Sequence, residues 1–177
     1  MSGHSKWSNI KRKKAIVDSK RAKTFAKFIK AIAIAARTDS NPDTNAPLRA
    51  AIQRARDNNV PKENIERVLS RSSENKNFES LRIEAYGPGG GALIIEIISD
   101  NRNRAIAEIK KVLSDHGAKM AAPGSVLWLF NESKEEKKRW TPKFPQKISE
   151  NDLLLFRKLI TALENHEDTQ SVFTNIE

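Results

Sequence analysis

The spacing of apolar positions divides the chain near residue 75. Before that point the period is helical. Phe25, Phe28, Ile29, Ile32 and Ala36 follow the i, i+3, i+4, i+7 rule of one helix face. At about 100° per residue, Lys20, Lys23, Lys27 and Lys30 fall about 190° from the centre of that stripe, so one side can be buried while four ammonium groups face outward. Residues 1–10 (MSGHSKWSNI) show no periodicity and read as an arm. Asp18 and Ser19 fit an N-cap, which predicts that the basic stretch breaks into two shorter helices. Asn45 should cap a second helix bearing Leu48, Ala51, Ile52 and Ala55. Asn58 and Asn59 should end it, and Pro61 should open a third helix with Ile65, Val68 and Leu69 inward. Residues 1–75 are thereby expected to form a small all-helical domain.

After Asn75 the period shortens. Leu81 to Tyr86 alternate, and residues 92–98 (ALIIEII) form a short, β-branched apolar run. The glycine-rich residues 87–91 between them predict a hairpin. Ile106, Ile109, Val112 and Leu113 mark a helix, residues 125–130 (SVLWLF) a third strand, residues 153–163 another helix, and residues 171–174 a last strand. Residues 132–149 are polar, charged and proline-containing, a linker by composition. The order ββαβαβ over residues 76–177 predicts an α+β sandwich, a mostly antiparallel sheet with helices on one face.

Composition narrows the chemistry. The 177 residues include no cysteine, which excludes disulfides, thiol nucleophiles and Cys-ligated zinc. His4, His116 and His166 are scattered, and no apolar run is long enough to span a bilayer. The net charge of +10 is concentrated at one end. Residues 1–37 hold 11 Lys and Arg against one acid, Asp18, while the other 140 residues balance 21 basic against 21 acidic groups. A polyanion would meet that end first. A transit peptide, a membrane-surface helix, a solvated helix face and a nucleic-acid-binding element all fit a basic, acid-poor start.

Candidate sites are few. The loop 87–91 lacks the lysine of a phosphate-binding loop and leads into a strand, so it is read as a hairpin turn rather than a nucleotide site. Arg102 and Arg104 open the helix that follows Asp100 and Asn101, where cations oppose the helix dipole. Either Arg104 pairs with Glu108 at i+4, or both arginines face an external anion or an acidic domain surface. The pairs Glu135-Glu136 and Glu167-Asp168 read as solvated surface, and His116 before Gly117 reads as a helix C-terminus. No nucleophile has a recognisable base partner, and no catalytic residue, metal, cofactor or small-molecule substrate is expected. Trp7 beside Lys6 and Lys11 either stacks on a nucleobase or folds back onto the helical core. Trp140 and Phe144, amid Lys137, Lys138, Arg139 and Lys143, are expected to pack against the sheet.

Several ordered stretches resemble the YebC/PmpR family: Gly3-His4-Ser5-Lys6-Trp7 through Ile10-Lys11 and DSKR at 18–21 to Phe25, NVPKENIER at 59–67, YGPGG at 86–90, DNRNR at 100–104, Gly124-Ser125-Val126, and the ending from Leu159 to Asn175. The resemblance implies an N-terminal helical domain, two α+β domains and no enzymatic activity. Family members are described as DNA-binding transcriptional regulators. Others, including a mitochondrial translational activator of cytochrome oxidase subunit one, are ribosome-associated, and bacterial relatives are linked to relief of stalling at proline runs. Typical members insert a third domain of roughly sixty residues or more after the strand matching residues 125–130. Here residues 132–149 fill that gap, which implies a continuous middle domain and no third domain. The family motif starts right after Met1, which leaves no room for a transit peptide and implies a cytoplasmic protein.

The function expected from this reading is nucleic-acid-binding regulation of gene expression without catalysis. Lys6, Lys11, Arg12, Lys13, Lys14, Lys20, Arg21, Lys23, Lys27 and Lys30 would contact phosphates, and Trp7 would stack. The basic stretch lacks the Asn, Gln and Arg cluster that base-edge readout prefers, which favours rRNA and the ribosome over double-stranded DNA. DNA-binding transcriptional regulation is the alternative, and a protein-interaction module with merely solubilising lysines is the third.

Overall fold

The computed structural model describes residues 3–71, 77–133 and 139–177; the side chains of residues 3–16 and 20 lie outside that description. The chain divides into two compact units, Met1–Lys76 and Asn77–Glu177.

The first unit is helical. Its first element, α1, runs unbroken through Gly3–Ala35, which corrects both the arm and the predicted break at Asp18 or Ser19. From Ser5 to Ala36 there is neither glycine nor proline, and Lys, Arg and Ala are strong helix formers. An apolar stripe reports burial rather than helicity, so the absence of a period does not exclude a helix. The stripe begins where α1 starts to pack against α2 (Ala46–Asp57) and α3 (Lys62–Ser70). Ile32, Ala33 and Ala36 are buried there, with Leu48, Ala51, Ile52 and Ala55 of α2 and Ile65 and Val68 of α3. Asn45 sets the corner between α1 and α2. Its Oδ1 accepts from the Leu48 N–H at 3.0 Å, and its Nδ2 donates to the carbonyls of Ala35 and Asp39. Asn58 caps the end of α2, and Asn59 takes the left-handed conformation (φ 59°), which asparagine tolerates better than most residues.

The second unit is built on the hairpin of β1 (Glu79–Tyr86) and β2 (Ala92–Ser99), in register from Glu79↔Ser99 to Tyr86↔Ala92. The antiparallel sheet has the order β3-β1-β2-β6, with β3 at Lys119–Met120 and β6 at Thr169–Thr174. One face is covered by α4 (Arg102–Asp115) and α5 (Glu150–Glu164). There Ile83, Leu93, Ile95 and Ile97 meet Ile109, Leu113, Phe156 and Leu159. Part of the other face is covered by a two-stranded hairpin, β4 (Phe130–Glu132) and β5 (Trp140–Pro142), with Ile94, Val126, Phe130 and Trp140 buried together.

Two sequence expectations fail here. Residues 125–130 are not the sheet's third strand; Leu127–Leu129 form a 3-10 turn and pairing begins only at Phe130. The cause is Glu84, whose buried carboxylate accepts the N–H groups of Gly124 and Val126 at 2.6 Å and Leu127 at 3.0 Å. Amides gathered on one carboxylate cannot enter a ladder. The segment 132–149 is also not a plain linker, because it supplies β5 and the buried Trp140. In the β1–β2 loop, a Cβ on Gly91 would lie 2.5 Å from the Phe156 ring and 2.8 Å from Ile176, so the glycine there permits close packing rather than ligand binding.

Candidate nucleic-acid interface

At 1.5 Å per residue, α1 is about 50 Å long. Val17, Asp18, Ser19 and residues 21–24 are all exposed, so this stretch of the helix has no packed face among the described side chains. The Arg21 guanidinium lies 5.1 Å from the ring centroid of Phe25 on the next turn, a cation–π contact that holds it against its own helix. Lys23 is exposed. Lys27 and Lys30 are half-buried rather than fully presented, because α1 is by then entering the bundle. The backbone places Lys6, Trp7, Lys11, Arg12, Lys13, Lys14 and Lys20 on the same continuous helix, but their side chains lie outside the described ones. Beside the basic stretch, α1 and α3 leave an apolar groove of about 440 Å³ lined by Phe25, Ile29 and Val68 with Arg67 and Arg71 at its edge.

Arg102 and Arg104 differ in kind. Asn101 caps α4, its Oδ1 accepting from the Arg104 N–H at 3.0 Å. Arg104 is bound by four carboxylates of its own unit: Glu108 and Asp168 at 2.9 Å, Asp100 at 3.2 Å and Glu167 at 3.3 Å. Burial disfavours its charged form, and Asp168, Asp100 and Glu108 outweigh that effect, so its pKa lies above the ordinary arginine value. Asp168 is fully buried, which corrects its reading as solvated surface; Glu167 beside it is exposed as expected. Glu135 and Glu136 lie outside the described residues. His166 accepts the Asp168 N–H at Nδ1, so Nε2 carries the hydrogen and donates to Glu108 at 3.0 Å. Glu108, His166 and Asp168 bring ligand-type atoms within 4.8 Å of one another. Because the Arg104 guanidinium already bonds both carboxylates, it supplies the cation this cluster needs. Arg102, by contrast, is exposed and lines a groove with Arg82 and Arg139.

His116 caps the C-terminus of α4, with Nδ1 2.8 Å from the Val112 carbonyl. Trp140 is buried against the sheet. Its Nε1 donates to Glu96 at 3.1 Å, and its ring carries the guanidinium groups of Arg82 and Arg139 at 5.2 and 5.9 Å. Phe144 does not pack into the sheet; it is 57% exposed and tilted against Trp128, which is 59% exposed. Sequence reasoning missed that pair, since residue 128 sits in an apolar run with no local sign of which ring turns outward. No helix among the described residues is long and apolar enough to cross a membrane.

Known proteins share both units. Residues 5–75 match the TACO1/YebC protein N-terminal domain, and residues 78–135 match the TACO1/YebC second and third domain. A "probable transcriptional regulatory protein" of Desulfosudis oleivorans is 41% identical over all of this chain and 72% of its own length. A relative of the same name from Dictyoglomus turgidum is 47% identical over 75% of this chain, which spans 55% of that protein. The crystal structure of a conserved hypothetical protein, Aq1575 from Aquifex aeolicus, superposes with a TM-score of 0.81 at 29% identity, covering 91% of this chain and 92% of that one. The chain thus belongs to the TACO1/YebC family.

Proposed function

We propose that this protein is a non-enzymatic, nucleic-acid-binding regulator of gene expression, and that α1 is the element that meets the nucleic acid. One observation carries the reading. The excess positive charge of the chain lies within residues 1–37, all of it but Arg37 on a single long helix whose described side chains from Val17 to Thr24 are exposed. A rod with cations and almost no acids suits a phosphate backbone, which positions a protein without specifying sequence. On this reading residues 1–75 make the nucleic-acid contact and residues 76–177 form the α+β body. Lysines rather than an Asn, Gln and Arg set favour recognition of RNA by shape and backbone, hence a ribosome-associated role in translation. The name carried by the relatives favours a second reading, binding to double-stranded DNA as a transcriptional regulator.

Three measurements test this. If six to ten phosphates are contacted, affinity for nucleic acid should fall about 10³–10⁵-fold between 50 and 200 mM salt; a salt-independent curve would overturn the proposal. Sedimentation of lysate through sucrose, with and without ribonuclease, separates the targets. Ribonuclease-sensitive co-migration with ribosomes or a subunit supports translation, whereas a peak at the top under both conditions supports DNA. If Lys20, Lys23, Lys27 and Lys30 can all be replaced by Glu without loss of function, the lysines only solubilise an interaction module.

A further inference from the structure

The second unit has an open sheet edge. β3 pairs with β1 only at Ala85 and Tyr86, and one further bond runs from the Ala121 N–H to the Glu84 carbonyl at 2.8 Å. Alternate residues of a strand direct both backbone groups to the same side. The N–H and C=O of Ser80 and Arg82 therefore point the same way as those of Glu84, with no ladder partner among the described residues. Both side chains are exposed. A groove of about 690 Å³ follows this edge, lined continuously by residues 80–84.

The two sides of the groove differ in chemistry. Leu81 and Ile83 face the side covered by α4, where Ile106 adds to the lining. On the other side stand Arg82 and Arg139, and Arg102 lies one helical turn before Ile106. The two glutamates of the lining are already engaged. Glu84 holds three backbone N–H groups, and Glu96 bonds Trp140 and Arg139. Arg82 rests on the Trp140 ring and has no carboxylate partner among the described residues. The charge left for a ligand is positive.

We propose that the open edge of β1 is a strand-addition site for an extended peptide segment in which acidic and apolar side chains alternate. Main-chain bonds to Ser80 and Arg82 would hold it, apolar side chains would meet Leu81, Ile83 and Ile106, and acidic ones would meet the arginines. A second copy of this chain fits poorly, because antiparallel pairing of two identical edges brings their arginines together with no acid between them. Nucleic acid fits poorly too. Its phosphates cannot satisfy the outward carbonyls of Ser80 and Arg82, and the apolar side of the groove would stay in water. The site belongs to the second unit and does not depend on the role given to α1.

The test uses the full chain and the fluorescein-labelled peptide Glu-Val-Glu-Val-Glu, followed by fluorescence anisotropy. Saturable binding is expected, with none for Lys-Val-Lys-Val-Lys. Only alternate backbone N–H groups of an added strand face β1. Methylating the backbone nitrogens of one alternate set should therefore abolish binding, and methylating the other should spare it. Arg82→Glu, on an exposed side chain, should weaken binding about tenfold or more. Absence of saturable binding, or equal binding by the two methylated peptides, would overturn the proposal. So would an Arg82→Glu protein that binds the peptide normally but loses affinity for a single-stranded oligonucleotide, which would give the groove to nucleic acid.

Discussion

Replacing Arg104 with alanine tests whether the tie between α4 and the turn before β6 depends on one buried charge pair. Arg104 meets four carboxylates, but three of them, on Asp100, Glu108 and Glu167, are 43–59% exposed. Pairs of that kind contribute about 0–1 kcal/mol each. Asp168 differs, being fully buried and 2.9 Å from the guanidinium. Removing one partner of a buried pair costs about 3–5 kcal/mol, because the other charge is left uncompensated. Since the Arg104 side chain is itself 32% exposed, water can reach the vacated site, and we expect about 2–4 kcal/mol. For a unit of this size each kcal/mol shifts the midpoint by about 4–8 °C, so calorimetry on the full chain should show the second unit melting roughly 10–30 °C lower. Glu167→Gln should cost under about 0.5 kcal/mol. The double variant Arg104→Ala/Asp168→Asn should be more stable than Arg104→Ala alone, since it also removes the buried charge that Arg104 faces. An Arg104→Ala protein no less stable than Glu167→Gln, or a double variant that recovers nothing, would show that the buried pair does not carry the tie.

Glu84→Gln keeps one acceptor oxygen but turns an NH₂ toward amides that themselves donate, and should destabilise the second unit by about 2–4 kcal/mol in urea unfolding. Gly91→Ala forces a methyl into Phe156 and Ile176 and should cost about 1–3 kcal/mol in the same urea unfolding. Replacing Lys20, Lys23, Lys27 and Lys30 with Glu should flatten the salt dependence of oligonucleotide binding by about 0.7–0.9 in log–log slope for every phosphate no longer neutralised, as read from titrations at several salt concentrations. Asp39 accepts hydrogen bonds from the Thr44 hydroxyl and the Asn41 N–H, which hold its carboxyl below the usual carboxylate range. The stability it adds is therefore present above the unfolded pKa and fades as pH falls through the lower folded value. Thr44→Val should move that titration back up, followed by NMR of the carboxyl carbon.

Local features were legible in the order of residues alone. Asn45 caps its helix through its own side chain, His116 ends α4, and the glycine-rich turn closes the hairpin of β1 and β2. The concentration of charge in residues 1–37 is a property of the chain whatever its fold. Folding in three dimensions settled the positions whose state depends on a distant partner. The N-terminal part of α1 carries no apolar period, so its continuity as a helix could not be read from spacing. Residues 125–130 look like a strand until Glu84, some forty positions away, collects their amides. Asp168 looks like surface until Arg104 reaches it across 64 positions. The open edge of β1 likewise follows from the brevity of β3, which alternation along β1 cannot reveal. In each case the deciding group lies far along the chain, and local pattern carries no record of it.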